Sequence, residues 1–193
     1  MIFSKLIFLI LYMSNPWDLQ LTKDGIMAYT RNVDHSNYVE YKIETTTEGT
    51  IEDAIHVLTN LDYYYDLYPY VKSYELLTEK KDLEDFILLL VIKAPFPAKN
   101  RIGAFKNHIS SMTSEEIILT VTEEPELVPE SSEVKIASSY GFWKLTKVDE
   151  KRIHITSQFF TDPGGAVPAW IINQFVLKHP VNTVKTLSEM ISK

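Results

Sequence analysis

The chain has 193 residues, of which 45% are hydrophobic, 23% charged and 12% aromatic, and its formal net charge is -7. This composition indicates one folded domain rather than a disordered chain, and the acidic balance argues against nucleic acid as a partner. Because the sequence contains no cysteine, disulfides, thiolate nucleophiles and cysteine metal sites are excluded.

The N-terminus is an apolar segment, MIFSKLIFLILYM. One lysine precedes an unbroken apolar run over residues 6–13, which is too short to cross a bilayer as a helix but has the length of the apolar part of a signal peptide. The alternative is a helix or strand packed on the domain. We favour the export signal, which predicts a periplasmic or secreted protein, and assign residues 1–16 to it and residues 17–193 to the domain.

The following segments predict an antiparallel sheet interrupted by a helix. After a turn at Asp24 and Gly25, residues 26–33 and the alternating stretch NYVEYKIETTT are typical of half-buried strands. From residue 51 the apolar spacing becomes helical, and Thr50 with Asp53 resembles a capping box. A short helical or turn segment ends at Pro69. Further strands are predicted over residues 70–78, 86–94, 105–112, 117–122, 134–138, 142–146 and 153–161.

The last segment predicts a turn followed by a long helix. The turn, Pro-Gly-Gly at residues 163–165, lacks the Gly-Lys-Ser/Thr that a phosphate-binding loop requires. Pro180 removes the backbone hydrogen bond to the Val176 carbonyl and favours a kink. Apolar residues recur every three or four positions and form one continuous face: Ile172, Val176, Pro180, Val184, Leu187 and Ile191.

The first part of this helix is more apolar than one contact with a sheet requires, because Trp170, Ile171, Phe175 and Leu177 widen its apolar surface. Such a helix is either a movable lid over a pocket or a kinked but static core helix, and the sequence leaves both open. The elements together predict an α+β fold, in which a long antiparallel sheet is covered by helices.

A second unusual stretch is IKAPFPAKNRIGAF. Prolines on both sides of Phe96 predict a loop between two strands. Arg101 follows among apolar residues and points either to solvent, which is the commoner outcome, or inward. An inward arginine requires a carboxylate or a polar group of a ligand, because an unpaired buried charge is costly.

Motifs of catalysis and metal binding are missing from the sequence. Its five histidines show no HExxH or close pair, and no GxSxG occurs. We therefore expect a protein that is not an enzyme and that has no catalytic residue or metal, although a polar pocket assembled from distant strands stays open.

Four stretches resemble the START (StAR-related lipid transfer) family in its bacterial form: WDLQLTKDGIMAYTRNV, APFPAKNR, YGFWKLT and DPGGAVPAWIINQFVLKHPVNTVKTL. The resemblance runs from residue 17 to the C-terminus. It implies the helix-grip fold, in which a curved antiparallel sheet wraps around a long C-terminal helix and leaves a tunnel between them. It also implies a monomer that binds a lipid or sterol-like molecule without a cofactor and contacts membranes transiently.

The resemblance further implies which residues bind the ligand. It makes APFPAKNR the loop that gates the tunnel, which we expect to separate from the helix at residues 170–177 when the protein meets a membrane. Arg101 becomes the contact for a polar group, although Ile102 stands where the family has an aspartate. Leu67 or Tyr68 replaces the family's tryptophan. The predicted ligand-binding residues are Arg101, Phe96, Tyr68, Trp143, Trp170, Asn173, Phe175 and Leu177.

Two other functions remain open. Aromatase/cyclase enzymes share the superfamily's fold, and such an enzyme would have a polar cavity with several aligned Tyr, His or Arg side chains. An interaction module, in contrast, would have its interior filled by aromatic side chains.

Overall fold

The computed structural model describes residues 16–34, 36–78, 85–94, 96 and 98–192, and it describes residues 174 and 175 by their backbone alone. All but the last residue of the predicted signal segment lies outside the described residues.

In the described part of the chain, ten strands form one curved sheet in the order β1-β2-β3-β10-β9-β7-β6-β5-β4, with β8 beside β6. All pairings are antiparallel except that of β6 with β8. The strands are β1 (Asp18–Lys23), β2 (Ile26–Asn32), β3 (Val39–Glu48), β4 (Val71–Leu76), β5 (Asp85–Ile92), β6 (Arg101–Met112), β7 (Glu116–Glu123), β8 (Val134–Lys135), β9 (Ser138–Lys147) and β10 (Arg152–Asp162).

The helices in the described ranges are α1 (Ile51–Thr59), α2 (Tyr64–Leu67), α3 (Ala169–Phe175) and α4 (Lys178–Ile191), with 3-10 turns at Leu61–Tyr63 and Pro125–Leu127. The predicted cap of α1 is confirmed, because the Thr50 hydroxyl accepts a hydrogen bond of 3.1 Å from the backbone N–H of Asp53. No helix in these ranges combines the length and the apolar character needed to cross a membrane.

The core lies on the face of the sheet that α1 and α4 cover, which we call the inner face. Ile43, Leu145 and Ile155 of the central strands are fully buried there, together with Val184 and Leu187 of α4. Because strand side chains alternate between faces, the predicted apolar residues of β3 and β10 reach this core. The predicted arrangement of a curved antiparallel sheet around a C-terminal helix is confirmed.

Two differences from the sequence predictions concern the edge of the sheet and the start of β6. Strand β1 was not expected, because its residues are mostly exposed and alternation therefore gives no signal at this edge of the sheet. Strand β6 begins at Arg101 rather than at residue 105, since its pairing with β5 continues to the partners Arg101 and Ile92.

The C-terminal helix is interrupted at Val176 and Leu177, so α3 and α4 are separate segments. This break lies one turn before Pro180, at the carbonyl with which a proline ring clashes in a regular helix. Pro180 itself falls in the first turn of α4, where its missing N–H leaves no helical bond unmade. The predicted kink is confirmed, and it takes the form of a break between two helices.

Candidate functional site

Arg101, the first residue of β6, is buried and donates to three backbone carbonyls. Its Nε bonds to Pro163 at 3.1 Å, its Nη2 bonds to Gly164 at 3.2 Å, and its Nη1 bonds to Lys99. Within the described residues, no carboxylate lies within 4.0 Å of the guanidinium. The arginine is therefore buried, the less common of the two outcomes that the sequence left open, and turn carbonyls stand where a carboxylate or a polar group of a ligand was expected.

These carbonyls converge because the turn before α3 is built from glycine. Gly164 and Gly165 have φ values of 65° and 73°, in the left-handed region that favours glycine. A Cβ on Gly164 would lie 2.4 Å from the carbonyl oxygen of Lys135. The Asp162 carboxylate accepts a hydrogen bond of 2.9 Å from the N–H of Gly164 and closes the turn. The Pro-Gly-Gly motif thus forms the binding partner of Arg101.

Polar contacts attach α3 to the connection between β2 and β3. The Asn173 amide donates to the carbonyl of Asn37 at 3.1 Å and accepts from the N–H of Val39 at 3.3 Å. Just before the helix, the Tyr38 hydroxyl donates to the carbonyl of Val167 at 3.0 Å. Asn173, predicted to contact a ligand, thus serves as a tether in this structure.

Although α3 is apolar in sequence, none of its described side chains is buried, and Trp170 is 65% exposed. Phe96 in the loop before β6 is 98% exposed. Leu177, just after α3, is partly buried against the main core. The side chain of Phe175 lies outside the described residues. The segment before α4 therefore presents apolar groups to solvent while polar bonds secure it.

An open cleft of about 340 Å³ lies beside the start of α3. Its lining comes from the β2–β3 connection, the end of β10 and the segment that leads into α3. The lining residues are Ser36, Asn37, Tyr38, Asp162, Val167, Pro168 and Ala169.

Aromatic rings continue along the inner face. Tyr68, directly after α2, has its ring centroid 4.8 Å from that of Tyr64 and 6.0 Å from that of Tyr70. Trp143 of β9 is buried, 6.2 Å from the ring of Phe159. Of the predicted site residues, Tyr68 and Trp143 are therefore brought together, close enough that Trp143 partly offsets the rise that burial causes in the pKa of Tyr68.

Burial keeps the phenols of this face protonated. It raises the pKa of Tyr70 to about 12, against a smaller opposing effect of the hydrogen bond with Thr183. Burial also raises the pKa values of Tyr41, Tyr64 and Tyr68 well above that of a free phenol. These side chains are consequently uncharged hydrogen-bonding groups at neutral pH.

Sequence reasoning did not include Ser157 or Tyr41 among the candidate site residues. Ser157 is 1% exposed, and its Oγ has no hydrogen-bond partner in the described part of the chain. Alternation along β10 could have identified it, because Ile155 and Phe159 flank it on the same face. Among the described residues, no cluster of His, Asp or Glu side chains is arranged to hold a metal.

Comparison with known proteins gives matches over most of the chain. A crystal structure of a STAR-related lipid transfer protein from Xanthomonas axonopodis superimposes with a TM-score of 0.81 at 28% identity, covering 92% of this chain and 99% of that chain. Phosphatidylcholine transfer protein of Mus musculus is 27% identical and covers 81% of this chain and 75% of its own length. An uncharacterised protein of Pseudomonas aeruginosa is 25% identical, with 94% and 89% covered. No family model matches the chain.

Proposed function

We propose that the chain, which is similar to START (StAR-related lipid transfer) proteins, is a member of that family and binds a hydrophobic molecule non-covalently between the inner face of its sheet and the helices α3 and α4. We propose further that it exchanges this molecule with membranes and does not alter it chemically. The names of its relatives, a STAR-related lipid transfer protein and a phosphatidylcholine transfer protein, support this class of ligand.

The observation that carries the proposal is the packing of α3. The segment AWIINQF is strongly apolar, yet none of its described side chains is buried, whereas the next helix buries Thr183, Val184, Leu187 and Ile191. Because none of these side chains is buried, α3 can move away from the sheet while exposing little additional apolar area. The tethers at Asn173 and Val167 consist of three hydrogen bonds that water can replace.

The hydrophobic effect favours binding of a lipid from water, and it does not oppose release of the lipid into a bilayer. A lipid tail of several hundred Å² removed from water contributes on the order of 10 kcal/mol at about 25 cal/mol per Å². Against a bilayer this difference largely disappears, because the tails find another apolar medium there. The exposed Trp170 and Phe96 would then contact the membrane surface, where aromatic side chains are favoured.

The first experiment is to purify the full chain under mild conditions, extract it with organic solvent and identify the extracted molecules by mass spectrometry. We expect a lipid at close to one molecule per chain. A protein that is empty, and that takes up no lipid from vesicles of mixed bacterial phospholipids and sterols, contradicts the proposal. Chemical conversion of a bound polyketide would instead support the cyclase alternative.

The lid is tested separately by a cross-link. Cysteines in place of Asn37 and Asn173 can be joined specifically, because the chain has no other cysteine and these residues already contact each other. We expect lipid transfer between vesicles to stop after cross-linking and to resume after reduction. Each single-cysteine variant, treated in the same way, is the control. Unchanged transfer by the cross-linked protein refutes movement of α3 away from the β2–β3 connection.

A further inference from the structure

The inner face contains a buried hydroxyl whose hydrogen-bonding capacity is unused. Ser157 lies near the middle of the sheet, opposite Ile43 on β3 and Trp143 on β9. Ser157 lies near enough to the Tyr41 phenol to lower its pKa in the manner of a hydrogen bond, against the larger effect of burial, but among the described residues no group meets both the distance and the angle of a hydrogen bond to Ser157 Oγ. Folded proteins rarely leave a buried polar group unpaired unless water or a ligand completes it.

Three tyrosines surround the same region. Tyr41 and Tyr68 both pack against the main core cluster, and Tyr68 also packs against the second cluster together with Tyr70. The ring of Phe159 links Tyr41, at 5.9 Å, to Trp143. The phenols of Tyr68 and Tyr70 interact electrostatically with that of Tyr41. Tyr41 is therefore the tyrosine beside Ser157, and Tyr68 and Tyr70 lie next to Tyr41 within an otherwise apolar face.

This group of side chains contains no charge. In the described part of the chain only two charged side chains are buried, Glu40 and Arg101. Glu40 precedes Tyr41 on β3, so it lies on the opposite face, where it bonds to Arg31 and Gln158. The guanidinium of Arg101 is engaged by three carbonyls. A charged ligand group placed beside Ser157 would lack a counter-charge, and its burial would be costly.

We infer that Ser157, with Tyr41, Tyr68 and Tyr70, forms a polar subsite that binds one uncharged oxygen of the ligand. The ligand class is an uncharged hydrophobic molecule carrying a hydroxyl or carbonyl group, rather than one that buries a charged headgroup at this position. The inference rests on the proposed binding of a hydrophobic ligand and adds the chemistry that selects it. Hydroxyl side chains both donate and accept, so the subsite accommodates an alcohol or a carbonyl oxygen.

The test uses three probes with the same C18 chain: octadecane, 1-octadecanol and octadecanoate. Each displaces the neutral dye N-phenyl-1-naphthylamine from the full chain, and the displacement gives its relative affinity. We expect 1-octadecanol to bind about tenfold more tightly than octadecane, the value of roughly one additional hydrogen bond, and octadecanoate to bind most weakly.

The variant Ser157→Ala removes only the unpaired hydroxyl and is therefore expected to fold. Its preference for 1-octadecanol over octadecane should disappear, while its affinity for octadecane stays unchanged. Tyr41→Phe gives an independent variant with the same expected loss. Ser139→Ala is the matched control, because its hydroxyl is already paired with Thr161 at 2.8 Å, and its preference should equal that of the unmodified chain.

The outcomes separate the two proposals. If the unmodified chain binds neither the dye nor any probe, the proposed function fails. If it binds octadecane and 1-octadecanol equally, or prefers octadecanoate, ligand binding stands and the polar subsite is refuted. An unchanged preference in Ser157→Ala likewise refutes the subsite and indicates that only water pairs with this hydroxyl.

Discussion

The guanidinium of Arg101 donates a hydrogen bond of 3.2 Å from its Nη2 to the carbonyl of Gly164, a residue 63 positions later in the chain. This bond and the neighbouring bond to Pro163 join the start of β6 to the turn from which α3 begins. The arginine thereby determines where the base of the proposed lid is held. It acts on the lid's support whether or not it also contacts a ligand.

Replacing this arginine should loosen the turn. We expect Arg101→Met to lower the free energy of unfolding by about 3 kcal/mol, because three carbonyls lose a charged donor at a buried position. Denaturant titration measures the loss, and hydrogen exchange should show faster exchange at residues 163–168. Arg152→Met is the control, since that side chain is half exposed and pairs with Asp149 at the surface, where an ion pair contributes less than about 1 kcal/mol. Equal losses in both variants would contradict the clamp.

The two glycines of the turn should differ in their tolerance of alanine. Both have positive φ, so each alanine incurs about 1–2 kcal/mol of backbone strain. Only at Gly164 would the new Cβ meet a backbone oxygen at 2.4 Å, whereas at Gly165 the nearest atom is a Val134 methyl at 3.2 Å. We therefore expect Gly164→Ala to be the more destabilising variant by about 2 kcal/mol, as measured by denaturant unfolding. Similar values for the two would show that the turn shifts freely.

Substitutions in α4 should affect the stability of the fold, whereas substitutions in α3 should affect lipid transfer. Leu187→Ala on α4 removes a fully buried side chain and should reduce the free energy of unfolding by about 2–5 kcal/mol. Trp170→Ala on α3 should change that free energy by less than about 0.5 kcal/mol, because the side chain is largely exposed.

The same Trp170→Ala variant should nevertheless slow transfer of a fluorescent lipid between vesicles by about tenfold, the loss of about 1.4 kcal/mol of contact with the membrane. Leu127→Ala, an exposed apolar residue of a 3-10 turn, is the control and should transfer at the original rate. Transfer that is unaffected by Trp170→Ala would exclude this tryptophan from the membrane contact.

The stability of the α3–α4 junction should depend on pH through His179. Burial, and next the charge of Lys178, lower its pKa below the ordinary value of 6.5, and its ring centroid lies 4.7 Å from that of Tyr70, with the two rings tilted by 49°. The unfolded chain therefore binds a proton more readily than the folded chain, so stability is complete above about pH 6.5 and falls as the pH drops through the lowered pKa. In His179→Gln this acid-side loss should be smaller between about pH 5 and 6.5, with His154→Gln as the control. The same pH dependence in both variants would contradict the assignment.

Local patterns identified the inner and outer faces of the central strands correctly. The alternation along β3 and β10 places Tyr41, Ile43, Ile155 and Phe159 on one side, and the structure buries or partly buries all four there. The cap of α1 and the effect of Pro180 on the last helix were likewise predictable. These features depend on interactions between residues within a few positions of one another, so they can be predicted from the sequence.

The candidate site depended on pairings that no local pattern contains. The partners of Arg101 are carbonyls of a turn brought to it by the sheet, and a carbonyl has no residue type by which the sequence could reveal it. The unpaired state of Ser157 follows from the combined positions of β3, β9 and β10.

The sequence by itself therefore determined most of the elements, the faces of the central strands, the glycine turn and the break in the last helix. Only the tertiary structure decided which polar groups meet and which remain unpaired. The physical reason is that secondary structure follows from short-range sterics and periodicity, whereas hydrogen-bond partners inside a sheet–helix core are set by strand order and register between residues far apart in the chain.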